Sequence, residues 1–224
     1  MRAISYFIFI FFAPALILLN FNFLVFNSAF YKSQFKKLNV YEEFESKEIV
    51  DNQSDGLIGY LCCGKNLDEN FFTERERLHL LDVKKLITLN QVASVLLSGL
   101  VLAGLILLIL KKDEKEFAKT VMGASAITVC AIIFLWLSTF IDFVNFDQAF
   151  LQFHFLAFDN DFWQLPESAN LIKLFPQQFF VNFADRIAIQ TMLISSAIFF
   201  VALIINYKLH YDDTNHHSRN VGKR

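Results

Sequence analysis

The sequence predicts a membrane protein, mainly α-helical, in which four transmembrane helices carry two structured extracytoplasmic segments. Three observations lead there. Hydrophobic residues make up 55% of the chain and the mean hydropathy is +0.42, too apolar for an ordinary soluble domain. Four stretches, about 4–26, 89–110, 121–143 and 187–207, each supply the roughly 20 mostly apolar residues that cross a bilayer. The residues between spans are aromatic and charged in patterns that suit folded segments rather than tethers. With no repeats and no low-complexity linker, residues 1–224 read as a single membrane domain.

The first span has a longer apolar core than the 7–15 residues of a signal peptide. Cleavage at Asn27-Ser28-Ala29 would place Asn at the −3 position, so the span reads as an uncleaved anchor. The third span carries Asp142 only at its end, and the fourth holds no charge between Ile187 and Tyr207.

Orientation follows from Lys and Arg in short loops. The hairpin 111–120 holds Lys111, Lys112, Lys115 and Lys119; the tail 208–224 holds Lys208, Arg219, Lys223 and Arg224; Arg2 precedes the first span. These regions are therefore expected in the cytoplasm, with both termini, and segments 27–88 and 144–186 on the outer side of the cell membrane. Net charge is only −2, so no broad basic surface suggests nucleic acid as a partner.

In the first outer segment Phe30–Phe44 is short, aromatic and charged, and is expected to be extended. Apolar residues at Ile49, Val50, Leu57, Ile58 and Leu61 predict a helix lying on the bundle, weakened by Gly56. Thr73-x-x-Glu76 matches a capping box, in which side chains satisfy the free N–H groups of a helix start. The helix it opens is expected to run through Lys84-Lys85 into the second span. The second outer segment is crowded with aromatics, among them Phe153, Phe155, Phe158, Trp163, Phe175, Phe179 and Phe183, and is punctuated by Pro166 and Pro176. Exposed to water these would aggregate, so the segment is expected on or in the outer leaflet.

The cysteines say little. Cys130 falls inside the third span; Cys62 and Cys63 are adjacent, with no CxxC or Cys/His zinc spacing. The LCCG run resembles a lipobox but follows no signal segment of its own.

Two histidines stand out, each beside the mouth of a span. Glu76, His79 and Asp82 are three residues apart on one helix face. A carboxylate beside an imidazole fixes its tautomer and raises its basicity, as a general base requires. The same spacing also suits a solvated, salt-bridged face with Arg75 and Arg77. His154 lies among phenylalanines, and packing alone could account for it; Asp159, Asn160, Asp161 and Trp163 follow as groups that could orient it or a substrate amine. Glu76, His79, Asp82, His154 and Asp161 are suitable ligand types for a metal, but HExxH and HxH are absent and no cofactor is expected. There is no GxSxG elbow, and a Cys62 or Cys63 nucleophile would be prone to oxidation outside the cell. Arg186 opens the fourth span and could hold a carbonyl or phosphate, or pair with Asp185. His210, His216 and His217 in the tail receive no role.

With these residues in view the chain resembles a family of bacterial integral membrane proteins, found mostly in Gram-positive Firmicutes, whose characterised members are lipoprotein intramolecular transacylases. The resemblance rests on Glu74-Arg75-Glu76 through His79-Leu80-Leu81-Asp82-Val83, and on Phe153-His154, Asn160, Trp163, Pro166, Leu171-Ile172, Phe175-Pro176 and Phe179-Phe180, with a similar span layout and loop lengths. It implies an acyltransferase that moves the sn-2 acyl chain of a diacylglyceryl-cysteine lipoprotein to the α-amine of that cysteine, leaving a lyso-form lipoprotein. The implied partners are such lipoproteins and membrane phospholipids. On this footing His79 is expected as general base, oriented by Asp82 or Glu76, and His154 as oxyanion or acid partner, with the reverse assignment open. Asn160 would position substrate and Trp163 would anchor at the interface. The competing classes are a metal- or Cys-dependent lipid hydrolase or acyltransferase, and a four-span scaffold. A carrier would need polar groups at mid-membrane, and the spans hold almost none.

Overall fold

The computed structural model describes residues 2–140 and 145–221, with side chains over 2–138 and 145–211; Asp142, at the expected end of the third span, and the side chains of His216 and His217 lie outside the described residues. Eight α-helices and one 3-10 turn form, and no strand is present among the described residues. They are α1 (Arg2–Val25), α2 (Ser28–Lys37), the 3-10 turn Val40–Glu43, α3 (Lys47–Cys63), α4 (Glu74–Leu110), α5 (Glu114–Phe140), α6 (Phe146–Ala157), α7 (Asn170–Leu174) and α8 (Gln177–Val221). Helices α1, α4, α5 and α8 are long and apolar enough to cross a membrane. The expected helix from Thr73 does run unbroken into the second span. At 1.5 Å per residue α4 is about 55 Å long, well beyond a hydrocarbon core of about 30 Å. Its charged opening, ERERLHLLDVKK, therefore lies outside the span proper. The connection from α4 to α5 is as tight as expected, turning through Lys112 at φ 55°.

The chain divides into two compact units. The first comprises Met1–Leu18, Ala93–Leu137 and Ala188–Arg224. Its core joins Ile8, Phe12 and Ala15 of α1 to Val101 and Leu108 of α4 and Ala124 of α5. Small residues let the helices approach: a Cβ on Gly104 would stand 3.3 Å from Ile8, and one on Gly123 would stand 3.0 Å from Phe9. Inside this apolar packing Thr120 Oγ1 donates to Ser5 Oγ (2.9 Å), which donates to Glu116 (2.7 Å). Leu100, Leu110, Phe134 and Phe200 point outward, as lipid-facing residues should.

The second unit comprises Leu19–Val92 and Ser138–Ile187. Phe30–Phe44, expected to be extended, is instead helix α2 followed by the 3-10 turn. The Asn27 side chain caps α2 by accepting from Phe30 N at 3.0 Å. Tyr31, Gln34 and Phe35, at i, i+3 and i+4, then form one buried stripe. Aromatic content alone favours strands, but burial of that stripe decides the outcome. Helix α3 forms as predicted, capped by Ser46 accepting from Ile49 N (3.3 Å) and closed by Gly64 at φ +73°, a conformation only glycine adopts cheaply.

The aromatics of 144–186 divide into two sets, which corrects the expectation that all meet the leaflet. Phe175 and Phe179 are buried with Tyr31 and Phe35, at ring separations of 5.0 Å (Phe175–Phe179), 5.2 Å (Tyr31–Phe179) and 5.7 Å (Phe35–Phe175). Phe153, Phe155 and Leu156 on α6 stay exposed, and no residue of α6 is buried. Aromatic pairs add about 0.5–1.5 kcal/mol each beyond their buried area, so this cluster is the main apolar anchor of the unit. Phe35 has no exposed surface and touches Tyr31, Tyr41, Phe175 and Phe179. Phe35→Ala is expected to destabilise the unit by about 3–5 kcal/mol, read as a lowered midpoint of thermal unfolding in detergent; Phe35→Leu should recover most of the loss.

Candidate active site

The candidate site is built where α4 begins. Thr73 N and Thr73 Oγ1 each donate to Glu76 Oε2 at 2.7 Å, and Glu76 N donates to Thr73 Oγ1 at 3.4 Å, so the predicted capping box forms. The other carboxylate oxygen, Oε1, accepts from Leu171 N at 2.7 Å, close to the start of α7. Glu76 has no exposed surface. Both oxygens are engaged by these donors, so Glu76 holds α4 and α7 together and does not hydrogen-bond His79.

His79 lies one turn further along α4 and is 8% exposed. Its ring centroid is 6.2 Å from that of His154, with the planes inclined by 31°. Phe158 closes on both rings, 5.1 Å from His79 and 5.6 Å from His154. The two imidazoles that the sequence singled out therefore meet across an aromatic wall.

Their hydrogen bonding differs. His154 Nδ1 lies 2.7 Å from the carbonyl oxygen of Phe150, one turn back on α6. A carbonyl can only accept, so Nδ1 carries the proton and the neutral ring keeps its lone pair on Nε2. His79 Nδ1 is buried and has no hydrogen-bond partner. Burial holds the His79 imidazolium well out of favour, pushing its pKa down to about 4; the neighbouring His154 acts in the same direction and Asp82 opposes them.

Asp82, expected to orient His79, is turned elsewhere. Its Oδ1 accepts from Lys85 (2.8 Å) and its Oδ2 from Asn160 Nδ2 (2.8 Å), and the Lys85 contact foremost holds its carboxyl below the usual range. Asn160 in turn accepts from Phe162 N (3.0 Å), and both of these bonds are to protein. Asp161 meets Arg75, whose guanidinium donates to the Asp161 carbonyl oxygen and lies 3.5 Å from its carboxylate. Trp163 packs against His154 at 5.1 Å with the rings inclined by 41° and meets Phe155 edge-on at 5.2 Å. Arg186 is exposed on α8, and no hydrogen bond or ion pair joins it to the histidines. Cys62 and Cys63 are bonded to each other as a disulfide, so neither offers a thiol.

Arg75 is a participant that the sequence analysis left as part of a solvated face. Its position four residues before His79, on the stripe that also bears Asp82, was the available signal.

The depressed His79 pKa has a signed consequence. Between about pH 4 and the unfolded value near 6.5 the folded chain binds fewer protons than the unfolded one. The stabilisation is therefore complete above pH 6.5 and is lost as pH falls toward 4, by roughly 3 kcal/mol. In histidine-labelled protein, His79 should stay neutral by NMR until about pH 4; titration near 6.5 would mean the ring is hydrated, contrary to its burial.

Comparison with known proteins bears on the family and the fold. A family model for the lipoprotein intramolecular transacylase Lit matches residues 4–180. A protein of Aquifex aeolicus (strain VF5), described as uncharacterized, is 27% identical over 133 residues; the match covers 59% of this chain and spans 57% of that relative's length. The in meso structure of the membrane integral lipoprotein intramolecular transacylase Lit from Bacillus cereus superposes with a TM-score of 0.81 at 24% identity, covering 94% of this chain and 97% of that one. A variant of the same protein with one histidine replaced by alanine superposes with a TM-score of 0.78 at 24% identity, covering 94% of this chain and 95% of that one. These likenesses support a multi-pass membrane fold. With the family model matched over most of its length, the chain belongs to the lipoprotein intramolecular transacylase (Lit) family.

Proposed function

We propose that this protein is an intramolecular transacylase that moves the sn-2 acyl chain of a diacylglyceryl-cysteine lipoprotein to the cysteine α-amine. The observation that carries the reading is the unlike pair of facing imidazoles: His154 with its tautomer set by a backbone carbonyl, His79 neutral with an unpartnered Nδ1.

The reaction asks little beyond what such a pair offers. The α-amine of a peptide has a pKa near 7.7–8.0, so part of it is neutral and nucleophilic near neutral pH. Its nitrogen attacks the ester carbonyl of the same molecule, where effective molarity supplies much of the rate. A tetrahedral oxyanion forms, the C–O bond to glycerol breaks, and the proton lost by nitrogen goes to the departing sn-2 alkoxide. Bonds and protons balance, with no water consumed and no acyl-enzyme.

His154 is the better base. Its Nδ1–H is spent on the Phe150 carbonyl, leaving Nε2 to take the amine proton and return it to the alkoxide. His79 is too weakly basic for that task, and instead offers a neutral imidazole N–H to the oxyanion. This reverses the assignment first expected from the sequence, because the carboxylates meant to orient His79 are bonded to other partners. Burial of His79 keeps water away, which favours transfer over hydrolysis.

Residues 79 and 154 fall between the first and second and between the third and fourth spans, so membrane parity puts both on one side. The basic hairpin and tail support an outward-facing site, at the outer leaflet where mature lipoproteins and phospholipids are found.

The test is tandem mass spectrometry of lipoprotein N-terminal peptides from a host that makes only the diacylglyceryl form. Total mass should not change, while the fragment ions should show one acyl chain on the α-amine instead of on glycerol. His79→Ala and His154→Ala should each lower the rate by about a hundredfold or more. His79→Gln, which retains an N–H donor, should recover part of the loss, whereas His154→Gln should not. Loss of the acyl chain would indicate a hydrolase, and an unaltered lipoprotein despite good expression would end the transacylase reading.

A further inference from the structure

Arg75, His79 and Asp82 stand at i, i+4 and i+7 on α4, within about 60° of one another around the helix axis, and so form a single stripe. The segment 158–163 crosses that stripe. Phe158 packs on His79, Asn160 is tied to Asp82, and the Asp161 backbone is tied to Arg75. Its last residue, Trp163, lies against His154. The two polar ties thus flank His79 about 6 Å to one side and about 4.5 Å to the other along α4.

We propose that Arg75 is a positioning residue for the transacylase reaction, acting through the Asp161 backbone carbonyl to hold 158–163 as a clasp that seats Phe158 and Trp163 on the facing imidazoles. The proposal rests on the activity proposed above. No hydrogen bond joins Arg75 to either histidine; its effect reaches them through the segment it holds.

Two features support a role beyond surface decoration. The Arg75 nitrogen donates to a main-chain oxygen, so the contact fixes backbone rather than a mobile side chain. Its ion pair with the Asp161 carboxylate is long, at 3.5 Å, and exposed on both sides, which makes it a minor part of the tie. The clasp also explains why a polar ring such as His79 is 8% exposed beside a charged helix face. The charged and titratable groups around that ring are His154, Asp82 and its partner Lys85, with Arg75 and Asp161 at the clasp.

The experiment compares Arg75→Ala, Arg75→Lys and Asp161→Ala in the full chain. Three readings are taken: turnover on a diacylated lipopeptide, the His79 titration by NMR, and the unfolding midpoint. Arg75→Ala should lower kcat about ten- to a hundredfold with little change in KM, since misplacing a reacting group by about 1 Å has effects of that size. The same variant should raise the His79 titration from about 4 toward 6.5 as water enters, with the unfolding midpoint close to that of the parent. Arg75→Lys should restore part of kcat, because one donor remains without the planar fork. Asp161→Ala keeps the carbonyl and should lower kcat by about a factor of two at most. A parental kcat in Arg75→Ala would overturn the proposal. So would a fall in kcat accompanied by a lowered unfolding midpoint and an unmoved His79. If the parent itself transfers no acyl chain, the transacylase reading fails, and the clasp is then judged by the His79 titration alone.

Discussion

The carboxylate of Glu76 is the tie on which the candidate site depends. It has no contact with solvent, a costly position for a charge. Three donors offset that cost: the Thr73 N–H and hydroxyl on one oxygen, the Leu171 N–H on the other. Charge-assisted bonds of this kind are about twice as strong as neutral ones. Removing the carboxylate would leave buried donors unpaired on two segments distant in sequence. Because His79 comes one turn after Glu76, whatever fixes the start of α4 also fixes the imidazole. Leu171 in turn leads into Leu174, Phe175 and Phe179, members of the aromatic core that includes Tyr31 and Phe35. One carboxylate therefore links the helix cap, the apolar core and the placement of the site.

The histidines differ because their surroundings differ, not because of their own chemistry. His154 sits in the last turn of an exposed helix, where the carbonyl at i−4 is within reach of its ring. His79 is enclosed by Phe158 and by the segment that crosses α4. One environment selects a tautomer and the other disfavours a charge. Two identical side chains thereby become chemically unlike, one with a fixed tautomer and the other held neutral.

Much of the architecture was legible in the chain. Four apolar stretches of spanning length, the Thr73/Glu76 cap and the helical run from Glu74 into the second span all follow from local rules: hydropathy, capping and the absence of breakers. The two histidines were also found by reading outward from the spans. Three things were not legible. Phe30–Phe44 looked extended, because aromatic residues suit strands and the burial that makes Tyr31, Gln34 and Phe35 a helix stripe comes from partners far along the chain. Phe175 and Phe179 looked like lipid-facing residues for the same reason. The Leu171 N–H on Glu76 and the Asn160 amide on Asp82 were not legible because spacing on one helix face says which groups are near, not which donor from another segment reaches them first.

The sequence by itself determined the class of protein and its four helices of spanning length, and pointed to two histidines, since these depend on local composition and on neighbours within a helical turn. Only the tertiary structure decided what surrounds those histidines. It brought residues 79 and 154 together across 74 intervening positions, paired Asp82 with Asn160 and Arg75 with Asp161, and left one nitrogen of His79 buried without a partner. The physical reason is that burial and hydrogen-bond competition are set by which surfaces meet. That meeting is a property of the packed chain and of no segment within it.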